Sequence, residues 1–251
     1  MRKLILIKHA MPEVVPGVPA HLWGLSEDGK RSCLRLAEQL EEYRPATLYA
    51  SSEAKAIATA SALAERFHQP YAVCADLREH DRATAGFLGR DEFERAVAAL
   101  FAHPDELAFG NETAAAALSR FTAAVTRILA QDGSEHVMLV THGTVIALYL
   151  AAWVGMDGLQ MWHALGLPSY VVLAVPEPRA LDVVTSLDVQ LARPVLPPSV
   201  LLLPLLPCHR ALKLAQRVGI VGALHRTSQP RGAVTRVRAL LLASRLRCVR
   251  Q

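Results

Sequence analysis

The chain has 251 residues, 52% of them apolar and 20% charged, an ordinary globular balance with enough length for one large α/β core. Its four cysteines, Cys33, Cys74, Cys208 and Cys248, form no C-x-x-C pair. That argues against a disulfide framework or a structural zinc and suits a reducing, cytoplasmic setting. The net charge of +4 is misleading, because residues 1–188 carry 16 Lys and Arg against 23 Asp and Glu, while residues 189–251 carry 11 against none. The basicity therefore lies in the tail, and no nucleic acid is expected on the main domain.

In chain order, strand-like and helix-like runs alternate. The opening apolar run before Lys8 is too short for the core of a signal peptide. Leu4–Ile7 is a short strand rich in branched residues. Ser26 caps a helix with Glu27 and Asp28 in its first turn and Cys33, Leu36, Ala37 and Leu40 at helical spacing. Thr47–Ala50 reads as a strand, and Glu53–Phe67 as a helix with Ala56, Ala60, Leu63 and Phe67 on one face. Tyr71–Cys74 is a third strand; Asp91–Phe101 and Thr113–Gln131 are helical. His136–Val140 is a strand and Thr144–Val154 a helix. Residues 137–155 match a membrane span in length, but His142-Gly143 divides them, so a buried strand–turn–helix is expected. Ser169–Val175 and Leu181–Val184 flank Pro176-Glu-Pro178 as an edge hairpin. The alternation predicts a largely parallel sheet with helices on both faces.

After residue 188 the character changes. "RPVLPPSVLLLPLLP" is apolar but broken by prolines, a poor membrane span. Arg210, Lys213 and Arg217 could share a helix face toward lipid headgroups. A poorly ordered extension is the preferred reading over membrane contact.

Ligands of open parallel sheets gather beyond the strands' C-terminal ends. The residues just past each predicted strand are therefore the candidates: Lys8-His9, Ser51-Ser52 with Lys55, Leu77-Arg78-Glu79-His80, and Thr141-His142-Gly143. Two cations and a helix N-terminus suit a dianion such as phosphate. A histidine there can be a nucleophile and a carboxyl group a general acid. Each signal is weak alone, but one fold would bring all four together.

"LILIKHAMP", "LSEDGKRSCLRLAEQL", "LYASSEAKAIATA", "LREHDR", "GNETAAAALSRF" and "VTHGTVI" occur in this order over about residues 3–185. Together they resemble the motifs of the histidine phosphatase superfamily, the phosphoglycerate mutase-like proteins. The resemblance implies a three-layer α/β/α sandwich over residues 1–187, with residues 188–251 a basic, Pro/Leu/Arg-rich extension. It implies a phosphomonoester hydrolase with His9 as nucleophile forming a phosphohistidine, His142 on the phosphoryl oxygens and Glu79 as acid and then base. Lys8, Lys55, His142 and Gly143 would bind phosphate, with no metal or organic cofactor. The substrate would be a small phosphorylated metabolite or a phosphoprotein.

Positions 8 and 55 depart from the family's arginines, keeping charge but losing the bidentate fork. That allows a second reading, a catalytically silent phosphate-binding or regulatory module. Mutase-type phosphoryl transfer is a third, disfavoured by the short segment between Glu79 and His142. Alternation along residues 79–81 would point Glu79 and Asp81 one way and His80 the other, with Asp81 the reserve acid. Glu112 reads as a helix-start residue. Arg82, His21 and Trp23 are candidates to face substrate.

Overall fold

A computed structural model describes residues 1–86 and 88–187. Six strands form one sheet: β1 (Lys3–Lys8), β2 (Ala46–Ala50), β3 (Tyr71–Val73), β4 (His136–Thr141), β5 (Ser169–Ala174) and β6 (Arg179–Val184). Their order is β3-β2-β4-β1-β5-β6. The β1–β4, β2–β4 and β2–β3 pairings are parallel, whereas β5 runs antiparallel to both β1 and β6. Among the described residues six α-helices accompany them: α1 (Glu27–Leu40), α2 (Ala54–Phe67), α3 (Arg90–Ala102), α4 (Ala114–Gln131), α5 (Gly143–Trp153) and α6 (Gly158–Ala164).

The unbroken apolar run of β1 is explained by burial on both faces. Ile5 and Ile7 join Met138 and Val140 of β4 in a core with α1 and α2. Leu4 and Leu6 join Val137 and Leu139 in a second core with residues of α3, α4, α5 and α6. This is the expected three-layer α/β/α sandwich, with helices on both faces of a mostly parallel sheet. Ser26 caps α1 as expected, its hydroxyl accepting from Gly29 N at 3.1 Å.

The apolar stretch at 137–155 is β4 followed by α5, and Gly143–Leu150 are all buried. Among the described residues no helix is long and apolar enough to cross a membrane. Helix α6 was not expected. It has only seven residues, too few to show a period, and its start is marked by Asp157, whose carboxylate accepts from Gln160 N. The expectation for the 188–251 tail lies outside the described residues.

Topology fixes where a ligand can sit. β1 and β4 are central neighbours with parallel register, Lys8 opposite Thr141. The chain leaves β1 toward α1 on one face and leaves β4 into α5 on the other. A crevice opens where such connections diverge, at the C-terminal ends of these two strands.

Candidate active site

His9 directly succeeds β1. Its backbone N–H donates to Thr141 O at 3.0 Å, and Ala10 N donates to Thr59 Oγ1 of α2 at 3.0 Å, so the turn is pinned on both sides. His9 Nδ1 lies 2.8 Å from Ala10 O. A carbonyl only accepts, so Nδ1 carries the proton and Nε2 keeps the lone pair. Burial, then the neighbouring His142, and more weakly Lys55 and Lys8, hold the ring's pKa well below 6.5, against the pull of the Ala10 carbonyl. The imidazole is therefore neutral at pH 7.

His142 is the N-cap residue of α5 and is fully buried. Its ring meets that of His9 edge-on, with centroids 5.1 Å apart. Nε2 lies 2.8 Å from Ser51 Oγ and 3.6 Å from Glu53 Oε1, while Nδ1 is buried with no hydrogen-bond partner among the described residues. Burial lowers its pKa to about 4 despite the opposing carboxylates of Glu53 and Glu79.

Glu79 reaches the same place from the loop after β3. Its Oε2 accepts from Thr144 N at 3.1 Å, and Oε1 accepts from His80 N at 2.9 Å and Val145 N at 3.3 Å. The carboxylate thus occupies the positive end of α5. Burial pushes its pKa up, but Arg82, His142 and the His80 N–H outweigh that, and the net direction is down.

The loop around Glu79 is held from a distance. Arg120 of α4 donates to the carbonyls of Asp76, Arg78 and Glu79 and to Glu112 Oε1 at 2.5 Å. Glu112 Oε1 also accepts from Asp81 N, and His80 Nε2 donates to Glu112 O at 2.6 Å. Glu112 therefore buttresses this loop as well as preceding the cap of α4. The expected alternation does not hold. His80 packs on Phe109, and the Asp81 carboxylate turns away to Ala83 N and Asn111 Nδ2. Asp81 is thus no companion to Glu79, because residues 79–81 are not paired as a strand.

The two lysines differ. Lys8 Nζ donates to Leu165 O at 2.6 Å, and its stem lies across Gly143, where a Cβ would come within 3.0 Å of Cε. Gly143 thus makes room for Lys8 at the mouth of α5. Burial lowers the Lys8 pKa to about 8, with Glu79 pulling it back up and Arg82 adding to the fall. Lys55, in the first turn of α2, is buried and donates to Ala20 O at 2.8 Å and Glu53 Oε2 at 2.6 Å. Glu53 Oε1 in turn accepts from Glu79 N at 2.8 Å. Burial would raise the Glu53 pKa, but His142, Lys55 and the Glu79 N–H bring it to about 2.

Glu53 is the residue that sequence reasoning passed over. It reads there as the acidic start of a helix, yet it links Lys55, Glu79 and His142. The signal was its position two residues before the expected phosphate cation. His21 and Trp23 lie beside Lys55 on the turn whose Ala20 carbonyl it binds; His21 is exposed, and Trp23 Nε1 donates to Val18 O.

Beyond Lys8 the crevice widens into a cavity of about 530 Å³ lined by Lys8, Leu88, Arg90, Phe93, Trp162 and His163, among others. The Arg82 guanidinium lies over the Phe93 ring, 4.8 Å from its centroid. The structure thus brings Lys8, His9, Lys55, Glu79, His142 and Gly143 to one crevice, with an imidazole lone pair, a second imidazole, cations and a carboxylate around it. Among the described residues, no group of three or more His, Cys, Asp and Glu is placed to hold a metal ion.

Comparison with known proteins points the same way. The model of the histidine phosphatase superfamily (branch 1) matches residues 20–180. It begins downstream of Lys8 and His9, whose placement rests on geometry alone. The chain is 28% identical over 192 residues to glucosyl-3-phosphoglycerate phosphatase of Mycolicibacterium vanbaalenii, covering 69% of this chain and 84% of that protein. Its fold is similar to the native structure of a mycobacterial glucosyl-3-phosphoglycerate phosphatase, with TM-score 0.62, 23% identity, and coverage of 74% of this chain and 99% of that one. It is likewise similar to phosphoserine phosphatase of Entamoeba histolytica in complex with 3-phosphoglyceric acid, with TM-score 0.59, 18% identity, and coverage of 74% and 98%.

Proposed function

The chain belongs to the histidine phosphatase superfamily, and we propose that it is a phosphomonoester hydrolase that works through a phosphohistidine at His9 on a small phosphorylated metabolite. The observation that carries this reading is the His9 tautomer. Nδ1–H is committed to Ala10 O, which leaves the Nε2 lone pair as nucleophile beside His142 and the cations.

In the first step Nε2 attacks phosphorus, the bond to the alcohol oxygen breaks, and the Glu79 carboxyl group gives that oxygen its proton. In the second, water attacks phosphorus, Glu79 takes the water's proton, the P–N bond breaks and phosphate leaves with His9 restored. Lys8, Lys55 and His142 stabilise the equatorial oxygens, where positioning and charge dominate catalysis. Glu79 needs its acid form for the first step. Its pKa is lowered by Arg82, His142 and a backbone N–H, and a phosphoryl dianion beside it pushes the other way by like-charge repulsion. The curated relative is by its name a phosphatase of a small phosphorylated molecule, which favours a metabolite over a phosphoprotein.

The second reading, a silent phosphate-binding module, has one observation behind it: the charge of Lys55 is already paired with Glu53 at 2.6 Å. Hydrolysis of p-nitrophenyl phosphate by the purified chain, with acid-labile labelling of the protein by a ³²P substrate, separates the two. Turnover and labelling in the wild type, both lost in a folded His9→Ala by at least roughly 10³-fold, are expected. Undiminished turnover in His9→Ala would overturn the phosphohistidine. No wild-type turnover on a broad phosphoester panel, with inorganic phosphate still bound, would establish the silent module instead.

A further inference from the structure

The charges of the inner site cancel. Lys55 is in contact with Glu53, and Lys8 faces the field of Glu79. Both histidines are neutral at pH 7. Two cations against two carboxylates leave no surplus for a dianion, and neither lysine has the planar fork that grips phosphate through parallel N–H bonds.

Arg82 is the nearby cation in contact with no carboxylate among the described residues, although its charge lowers the Glu79 pKa. Among the described residues its guanidinium makes no hydrogen bond or ion pair, and its contact is the face of Phe93. Phe93 lines the cavity together with Lys8, and Lys8 lies on Gly143 at the α5 terminus that holds Glu79. Arg82 lies three residues after Glu79, and its backbone is fixed by close packing. Gly110, at φ +77°, sits so tightly against it that a Cβ there would be 2.6 Å from Arg82 Cα. The Arg82 charge is also felt at Lys8, Glu79 and His142.

We propose that Arg82 is a phosphoryl-binding residue, supplying from the loop after Glu79 the bidentate guanidinium contact that the lysines at positions 8 and 55 do not make. The inference rests on the proposed phosphate chemistry but is testable apart from it. In the bound state two Arg82 N–H groups donate to two oxygens of the phosphoryl group while Phe93 supports the opposite face of the guanidinium.

The test measures inorganic phosphate binding by calorimetry and p-nitrophenyl phosphate turnover for wild type, Arg82→Lys and Arg82→Ala. Arg82→Lys keeps a cation over Phe93, so an unchanged melting temperature shows that the variant is folded. Arg82→Ala should weaken phosphate binding at least tenfold and lower kcat by roughly 10²–10³-fold, and Arg82→Lys should lose at least roughly tenfold in kcat. Wild-type phosphate affinity in Arg82→Ala would overturn the assignment while leaving the hydrolase reading intact. A fully active Arg82→Lys would overturn the bidentate contact. A wild type that binds phosphate without turning over substrate, with binding weakened in Arg82→Ala, would overturn the hydrolase and keep Arg82. A wild type that neither binds nor hydrolyses would overturn both.

Discussion

On the inner wall of the crevice, His9, Lys55, Glu79 and His142 are all buried, and every one is held by at least one hydrogen bond to a neighbouring element or turn. On the outer wall, Arg90, Glu94 and His163 are exposed, and Phe93 and Trp162 half-buried, around a cavity. The inner groups follow successive parallel strands, His9 after β1, Lys55 in α2 after β2, Glu79 in the loop after β3 and His142 after β4, and their hydrogen bonds leave little freedom. The outer groups come from α3, α6 and the loop between Glu79 and α3. Fixed, desolvated groups are what phosphoryl transfer needs, because reorganisation during reaction is costly. Exposed groups around a cavity can vary in shape and charge without disturbing that chemistry, which is what selection among alcohols needs. Under the proposed hydrolase reading, the difference would put chemistry on the inner wall and substrate choice on the outer one, and it can be broken by mutation.

The largest effect is expected at Glu79. If Glu79 carries the proton as proposed, Glu79→Gln should lower kcat by roughly 10²–10⁴-fold on an alkyl phosphate such as glycerol phosphate. p-Nitrophenolate is a good leaving group that hardly needs protonation, so formation of the phosphoenzyme from p-nitrophenyl phosphate should suffer much less. Burst kinetics on the two substrates make the comparison. Equal losses in the first step on both would show that Glu79 acts through structure, as the cap of α5, rather than as an acid.

The next effect is on stability. Glu53→Gln leaves Lys55 as a buried cation without its carboxylate. Breaking one side of a buried pair costs about 3–5 kcal/mol, which at about 2–4 °C per kcal/mol lowers Tm by roughly 10 °C. The sign with pH comes from the depressed pKa. A Glu53 carboxylate at about 2 in the folded chain, against 4.5 ordinarily, contributes stability that is complete above about pH 4.5 and is lost as pH falls toward 2. Thermal melts of wild type and Glu53→Gln between pH 3 and 7 should therefore converge at the acid end. Coincident curves across that range would show that the Glu53–Lys55 pair contributes nothing to folding, and parallel but offset curves that its contribution does not depend on ionisation of Glu53.

How far the sequence revealed these walls depends on the range of the forces involved. β1, α1, α2 and β4 were legible because their periods and caps are local, and the strand-end rule then collected Lys8, His9, Glu79 and His142. Asp81 and His80 could not be oriented, because Glu112, Asn111 and Arg120, some thirty or more residues downstream, decide where they point. Glu53 looked like a helix-start acid because nothing local says that Lys55 will fold back onto it. Helix α6 and the cavity were illegible for a related reason: seven residues show no period, and a cavity is a property of packing among α3, α6 and the end of β1 at Lys8.

Lys8 belongs to both walls, with its stem on Gly143 and its ammonium on Leu165 O, and it yields the smallest and most specific effect. Its pKa of about 8 makes it a cation at pH 7 and a neutral amine by pH 9 or so. If its charge holds the phosphoryl group, kcat/KM, which reports the free enzyme, should fall above about pH 8, roughly tenfold per unit. The limb of kcat should lie at higher pH, because a bound dianion raises the pKa of a neighbouring ammonium. Stability should move the other way. The folded pKa lies below the unfolded 10.5, so the unfolded chain binds more protons between about pH 8 and 10.5, and folding strengthens there as activity falls. Lys8→Arg keeps its charge across this range and should abolish the alkaline limb of kcat/KM while retaining activity at pH 7. A limb that persists unchanged in Lys8→Arg would assign the titration to another group and place Lys8 with the outer wall, as a lining residue of the cavity rather than a phosphate ligand.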